Sequence, residues 1–224
     1  MRMAKIIEIF ESTQGEGVYL GEEQLFIRFF GCNIHCLHCD TRIYSFQEYS
    51  LGALVDEVKE RGESHSICLT GGEPLLQADF IKDFLEEIKP LGFKIHLETN
   101  GILVDELRKA LPFTDIIAMD FKLPSFTGLN TFWKEHEEFL KVALEKKVFV
   151  KMVIAKNVEI REIDSACDIL LRAKGNIPVV LQPNWVESGE ELLEKMIALK
   201  RRFIAAGIED VKILPQAHKY SGIK

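Results

Sequence analysis

The chain has 224 residues, 47% of them hydrophobic, enough to bury one sizeable core, and a single domain over residues 1–224 is expected. Its formal charge of -7, with acidic and basic residues interspersed, excludes a broad basic footprint for nucleic acid or an anionic membrane and leaves a small molecule as the expected partner. No apolar run approaches the roughly 20 residues of a membrane span, the start lacks a signal-peptide pattern, and an odd set of five cysteines, three of them clustered, argues for metal ligands in a reducing cytoplasmic compartment rather than disulfides.

In chain order, residues 5–10 read as a flanking strand, and short apolar, β-branched runs at 24–30, 66–70, 93–98, 115–120, 148–154, 177–182 and 210–214 read as further strands. Helix-period segments lie between most of them. Leu51, Val55 and Val58 share one helix face, Leu76, Phe80, Phe84 and Ile88 another, and Ile163, Cys167 and Leu170 a third, each suited to cover one side of a sheet. Strand-helix alternation with short connections implies parallel strands and right-handed crossovers, so the fold is α/β, either an open doubly wound sheet or a full or partial barrel. Six or so units are too few for a complete eight-fold barrel. No low-complexity linker or internal repeat divides the chain.

Polar residues gather just past the strand ends, where parallel α/β architectures place their sites. After the second strand come Cys32, Cys36 and Cys39 in C-x3-C-x2-C spacing. Three thiolates can face one metal centre and leave a position open; zinc normally closes with four ligands and a [4Fe-4S] cluster with four cysteines, so the loop suggests a cluster with one iron free for substrate or cofactor. Next comes Thr70-Gly71-Gly72-Glu73-Pro74, whose glycines let the backbone approach a ligand and whose proline can open a helix. Glu98, Thr99 and Asn100, then Asp120, Lys122 and Ser125, then Gln182 follow later strands, and a tail from Leu214 to Lys219 follows the last.

Plainer readings stand beside these. The cysteines with His35 or His38 could form a structural zinc knuckle. Arg28, inside an apolar strand, could be a buried arginine paired with an acid such as Glu16. Gln14 and Glu16, between glycines, could merely shape a turn, and Glu98 to Asn100 could cap a helix. Cys68, Cys167 and His136 read as core residues, and Trp133 and Trp185 as packing residues.

The order of the cysteine motif and the Gly-Gly-Glu-Pro loop, about one βα unit apart, resembles the radical S-adenosylmethionine enzymes. That resemblance implies a partial (β/α)6-type TIM barrel with mostly parallel strands and less helix than a full barrel. It also implies a [4Fe-4S] cluster on Cys32, Cys36 and Cys39, with S-adenosylmethionine chelating the fourth iron. The loop 70–73, through Gly72 and Glu73, would meet the methionine amino group, and Ser125 and Gln182 the ribose, carboxylate or adenine. His38 stands where the family usually carries an aromatic beside adenine.

Four further segments, at Gln14-Gly15-Glu16-Gly17, Phe26 to Arg28, Cys39-Asp40-Thr41 and Leu214 to Lys219, resemble the 7-carboxy-7-deazaguanine synthase family from about Ile6 to Lys219. The implied reaction contracts 6-carboxy-5,6,7,8-tetrahydropterin to 7-carboxy-7-deazaguanine with loss of ammonia, toward queuosine and other 7-deazapurines, and regenerates S-adenosylmethionine. By the same resemblance Gln14, Gly15, Glu16 and Thr70 contact the pterin, and Arg28 takes its acid oxygens. Pro215 and His218 close over it, while Thr41 ligates magnesium (Mg2+) with Asp40 nearby. A flavodoxin- or ferredoxin-like electron donor and a homodimer are further implications. Two other readings compete: an activase that installs a glycyl radical on a partner enzyme, and a non-catalytic zinc or iron-sulfur module.

Overall fold

Side chains alternate between two environments along the parallel strands, and that alternation separates a core from a site. The computed structural model describes residues 2–39, 45–61, 64–187 and 189–221. Its strands are β1 (Met3–Thr13), β2 (Glu23–Phe29), β3 (Gln47–Ser50), β4 (Ser66–Gly71), β5 (Ile95–Thr99), β6 (Ile116–Asp120), β7 (Lys147–Ile154), β8 (Val179–Pro183) and β9 (Val211–Ile213). They form one sheet in the order β3-β1-β2-β4-β5-β6-β7-β8-β9. From β2 to β9 every pairing is parallel, while β1 is antiparallel to both β2 and β3.

On β2, Leu25, Ile27 and Phe29 join the main core together with Ile67 and Leu69 of β4, Leu97 of β5 and Val150 and Met152 of β7. The helices α1 (Leu51–Lys59), α2 (Ala78–Ile88), α3 (Val104–Ala110), α4 (Pro124–Thr127), α5 (Trp133–Ala143), α6 (Ile160–Arg172) and α7 (Glu190–Ala205) lie in the connections, and a last turn, α8 (His218–Ser221), ends the described chain. Their apolar stripes cover this face: Leu54, Val55 and Val58 from α1, Phe80, Phe84 and Ile88 from α2, Ile163, Cys167 and Leu170 from α6. Ser50 accepts a hydrogen bond from Ala53 N at 3.3 Å and starts α1; α6 starts with a capping box between Glu159 and Glu162.

The opposite face has small apolar groups, Phe10 with Phe26 and Cys68, and Ile116, Ala118, Phe149 and Val180. Phe149 of β7 lies against Gly17, whose added Cβ would stand 2.7 Å from its ring, and the same group takes in Val18 and Tyr19. The turn after β1 therefore meets a strand five places away, which requires the sheet to curl. A partial, open barrel with six parallel crossovers is the result, as the sequence led us to expect.

Two details depart from that expectation. Leu76 is 46% exposed, because Pro74–Gln77 forms a 3-10 turn before α2 and breaks the four-residue spacing. The strand β3 carries the polar sequence Gln-Glu-Tyr-Ser and has no apolar alternation; it exists as an edge paired only with β1. Among the described residues no helix is long and apolar enough to cross a membrane. Replacing the fully buried Phe84 with alanine should cost about 3–5 kcal/mol of stability, measured by urea unfolding monitored by circular dichroism.

Candidate active site

The inner face of the sheet supplies one polar side chain from the end of nearly every parallel strand. Arg28 of β2, Thr70 of β4, Glu98 of β5, Asp120 of β6, Lys151 of β7 and Gln182 of β8 all line a single cleft of about 410 Å³. The register sets neighbours side by side, Arg28 with Thr70 and Asp120 with Lys151. Period-two geometry keeps alternate residues on the same face, so the strand ends form a rim of charge above apolar layers.

Cys32, Cys36 and Cys39 form one wall of this cleft. Their loop is tied down at three places: Glu73 N donates to Gly31 O at 2.8 Å, Leu37 N to Thr127 O at 2.8 Å, and Asn100 Nδ2 to Asn33 Oδ1 at 2.7 Å. Among the described residues no three His, Cys, Asp or Glu side chains close on one point as ligands of a single ion would. A cubane whose irons each take one thiolate asks instead for ligands spread around it, as three cysteines on one wall can supply. Burial pushes the Cys36 thiol up to about 11 and raises that of Cys32, so a metal must displace those protons on binding.

Gly72 makes the close contact between this loop and the next. A Cβ there would stand 2.2 Å from Gly31 O and 3.0 Å from Cys32 Cβ. Glu73 is turned under the loop and is not among the residues lining the cleft. Its carboxylate accepts from Thr99 Oγ1 at 2.9 and 3.0 Å, Asn100 N at 2.7 Å and Leu75 N at 3.0 Å. Burial raises its pKa to about 7 against the pull of those donors. Thr99 and Asn100 accordingly brace Glu73 and do not cap α3. Glu98 accepts from Thr70 Oγ1 at 2.8 Å and Gln14 Nε2 at 3.0 Å.

Gln182 is 1% exposed, lines the cleft, and neither its amide nitrogen nor its amide oxygen has a partner. A buried amide in that state has both a donor and an acceptor to offer a ligand or water, which fits the expected cofactor contact. His38 also lines the cleft, 5.8 Å between centroids from Phe126, so an aromatic face is present there although the motif lacks one. Ser125 is not among the lining residues: its hydroxyl donates to Glu162 Oε2 at 2.8 Å and its backbone N–H to the same oxygen at 3.2 Å, which ties it to the start of α6.

On the far wall, Gln14 donates to Gln24 Oε1 at 2.9 Å as well as to Glu98, and accepts from Glu16 N at 3.0 Å, fixing the turn that follows β1. Glu16 is ion-paired with Lys151 and accepts from Gln216 Nε2 at 2.8 Å. Burial opposes its ionisation, yet Lys151, Gln216 and His218 hold its pKa down to about 2. Arg28 pairs through Nε with Glu8 Oε1 at 2.9 Å and lies over the Phe10 ring, so its acid is Glu8 and not Glu16.

The tail reaches the cleft through Gln216, His218 and Lys219, anchored by Ala217 N donating to Gly15 O at 2.9 Å. A side chain on Gly15 would collide with His218, 2.6 Å from Nδ1. Pro215 is exposed and not among the lining residues, because the anchoring turn places its neighbours inward instead. Thr41 and Asp40 lie outside the described residues.

Sequence reasoning passed over Glu8, Lys151, Phe126 and Gln216. The signal for Lys151 was its phase, a charge set between Phe149 and Val153 in the interior of the strand. Trp185, expected to pack, is 37% exposed at the cleft rim. His136 is a core residue as expected, stacked on Phe121 at 4.8 Å.

A model of the Radical SAM superfamily matches residues 26–155, and with the parallel sheet and the cysteine wall it defines a radical S-adenosylmethionine enzyme with a [4Fe-4S] cluster and S-adenosylmethionine as cofactors. A 7-carboxy-7-deazaguanine synthase of Geobacter sulfurreducens is 33% identical to this chain, over 98% of this chain and 97% of that protein. One from Archaeoglobus fulgidus is 36% identical over 99% of each. The crystal structure of QueE from Escherichia coli shares the fold at a TM-score of 0.68, with 20% identity over 96% of this chain and 95% of that one. This chain belongs to the 7-carboxy-7-deazaguanine synthase family.

Two outcomes follow from the geometry. Gly72→Ala should lower the iron retained per chain after reconstitution, measured by iron assay and visible absorbance, because the added methyl pushes the two loops apart. Glu16, with a folded pKa of about 2 against an ordinary value of 4.5, contributes stability that is present above about pH 4.5 and lost as pH falls toward 2. Glu16→Gln should therefore flatten the acid side of the thermal-stability curve in that window.

Proposed function

We propose that this chain converts 6-carboxy-5,6,7,8-tetrahydropterin to 7-carboxy-7-deazaguanine with release of ammonia, a step toward queuosine and other 7-deazapurines. The observation that carries the reading is that the three cysteines, the unpartnered Gln182, Glu16, Arg28 and His218 all line one cleft. Cys32, Cys36 and Cys39 would hold three irons of the [4Fe-4S] cluster. With S-adenosylmethionine bound, that group supplies a 5′-deoxyadenosyl radical able to take an unactivated hydrogen atom.

The protein's own residues bind and aim. Gln182 offers one donor and one acceptor to the polar edge of S-adenosylmethionine, with His38 and Phe126 beside it, and the Gly72 backbone lets the cofactor's methionine end come close. Arg28 presents a guanidinium to the substrate carboxylate, a task its planar fork suits. Glu16 accepts from the pterin's ring N–H and exocyclic amine, and the side chain of Gln14 holds the turn that carries it. Thr70 donates to Glu98, so its hydroxyl oxygen is the part left to accept from substrate. Gln216, His218 and Lys219 close the cleft and exclude water, which keeps a reactive radical on its intended path.

In the same reading Thr41 takes magnesium together with substrate oxygens, and a flavodoxin- or ferredoxin-like protein delivers the electron. The chain works as one domain in the cytoplasm and pairs with a second copy. The test is an anaerobic assay of cluster-reconstituted protein with S-adenosylmethionine, reductant, magnesium and the tetrahydropterin, followed by mass spectrometry. Product without net loss of S-adenosylmethionine is expected, and Arg28→Ala should lower kcat/KM by about 100-fold while S-adenosylmethionine still binds. Reductive cleavage of S-adenosylmethionine with no deazaguanine formed would reject this substrate.

A further inference from the structure

The least expected side chain in the cleft is Lys151. It lies on the inner face of β7 between Phe149 and Val153, where an apolar residue would continue the pattern. Glu16 pairs with it from the turn after β1, Asp120 of β6 stands 3.9 Å away, and Glu98 of β5 adds a third negative charge nearby. Asp120 is itself shared with Lys122 at 2.7 Å. Burial disfavours the ammonium, but Glu16 and Asp120 more than reverse this, and its pKa is raised.

Glu16 is fixed from both sides as a result. Oε2 faces Lys151, and Oε1 accepts from Gln216 at 2.8 Å and faces His218 at 3.9 Å. A carboxylate offers about four lone-pair positions, so the ion pair with Lys151 sets its rotation without exhausting its capacity to accept.

We propose that Lys151 is the positioning residue for Glu16: it holds the carboxylate anionic and oriented across the cleft as the acceptor for the paired N–H donors of the pterin edge. The inference rests on the reading of Glu16 as a pterin contact, and Lys151 acts only through that carboxylate. It also gives the site a chemical preference. A heterocycle carrying a carbonyl where the pterin has its amine would turn an acceptor toward an anion and lose the contact.

The test is equilibrium binding of 6-carboxypterin, the fluorescent oxidised relative of the substrate, and of 6-carboxylumazine, its carbonyl counterpart, to reconstituted protein with S-adenosylmethionine, from about pH 5.5 to 8. Lys151→Met should weaken 6-carboxypterin binding about tenfold and narrow its preference over 6-carboxylumazine. The loss should grow as pH falls, because a buried carboxylate deprived of its cation takes up a proton. His218 also faces Glu16, and its protonation on acidification works against this trend. Lys151→Arg should restore most of the affinity, and adding Lys151→Met to Glu16→Gln should cost little more than Glu16→Gln alone. In turnover the defect should appear in KM with kcat nearly unchanged.

Wild-type affinity and pH profile in Lys151→Met, or a loss confined to kcat, would overturn the proposal. If Glu16→Gln binds 6-carboxypterin normally, the reading of Glu16 fails and the proposal falls with it; if only Glu16→Gln weakens binding, the proposal alone fails. Should Lys151→Met not match the wild-type circular dichroism and iron content, Lys151→Gln takes its place in the comparison.

Discussion

Lys151 is largely withdrawn from solvent among Glu16, Asp120 and Glu98, and its ammonium is tolerated there because carboxylates surround it. Those carboxylates come from separate parts of the chain: the turn after β1 and the ends of β6 and β5. Satisfying the charge therefore draws these segments onto one centre. The same requirement explains the other pairs. With Glu16 taken by Lys151, Arg28 finds its partner in Glu8 of the adjacent antiparallel strand, and Lys122 takes Asp120. The charges lining the cleft are thus paired among themselves.

A second set of contacts stiffens the side that would hold the cluster. Glu73 collects donors from Leu75, Thr99 and Asn100, while its own N–H reaches Gly31, so the ends of β4 and β5 and the start of the cysteine loop become one unit. Asn100 extends that unit to Asn33. Residues that the motif presents as ligand contacts thus act partly as a frame. A loop between strands has few packing contacts of its own, and hydrogen bonds to buried groups supply the missing rigidity.

Much of this was legible in the sequence because it depends on local spacing. The parallel strands, the apolar stripes of α1, α2 and α6, the three cysteines and the residues at the strand ends follow from periodicity and from turn chemistry. The polar edge strand β3 was not legible, since its existence depends on pairing with β1 and not on its own residues. Motif position also could not show that Ser125 turns to Glu162 or that Glu73 turns beneath its loop, because orientation is decided by donors contributed from distant elements. Lys151 shows the reverse case: its phase within β7 was visible, but the acids that justify a charge there lie more than a hundred residues earlier or across the sheet.

The contact between Gln216 and Glu16 joins residues 200 positions apart. Such a pairing is highly non-local, and in synthesis on the ribosome it can form only after all nine described strands have emerged. The parallel sheet and its helices can assemble beforehand, with the mouth of the cleft still open on one side. Docking of the tail is then the step that completes the pocket, so a newly made chain can gain its scaffold before it gains an enclosed site in which a radical could be sheltered.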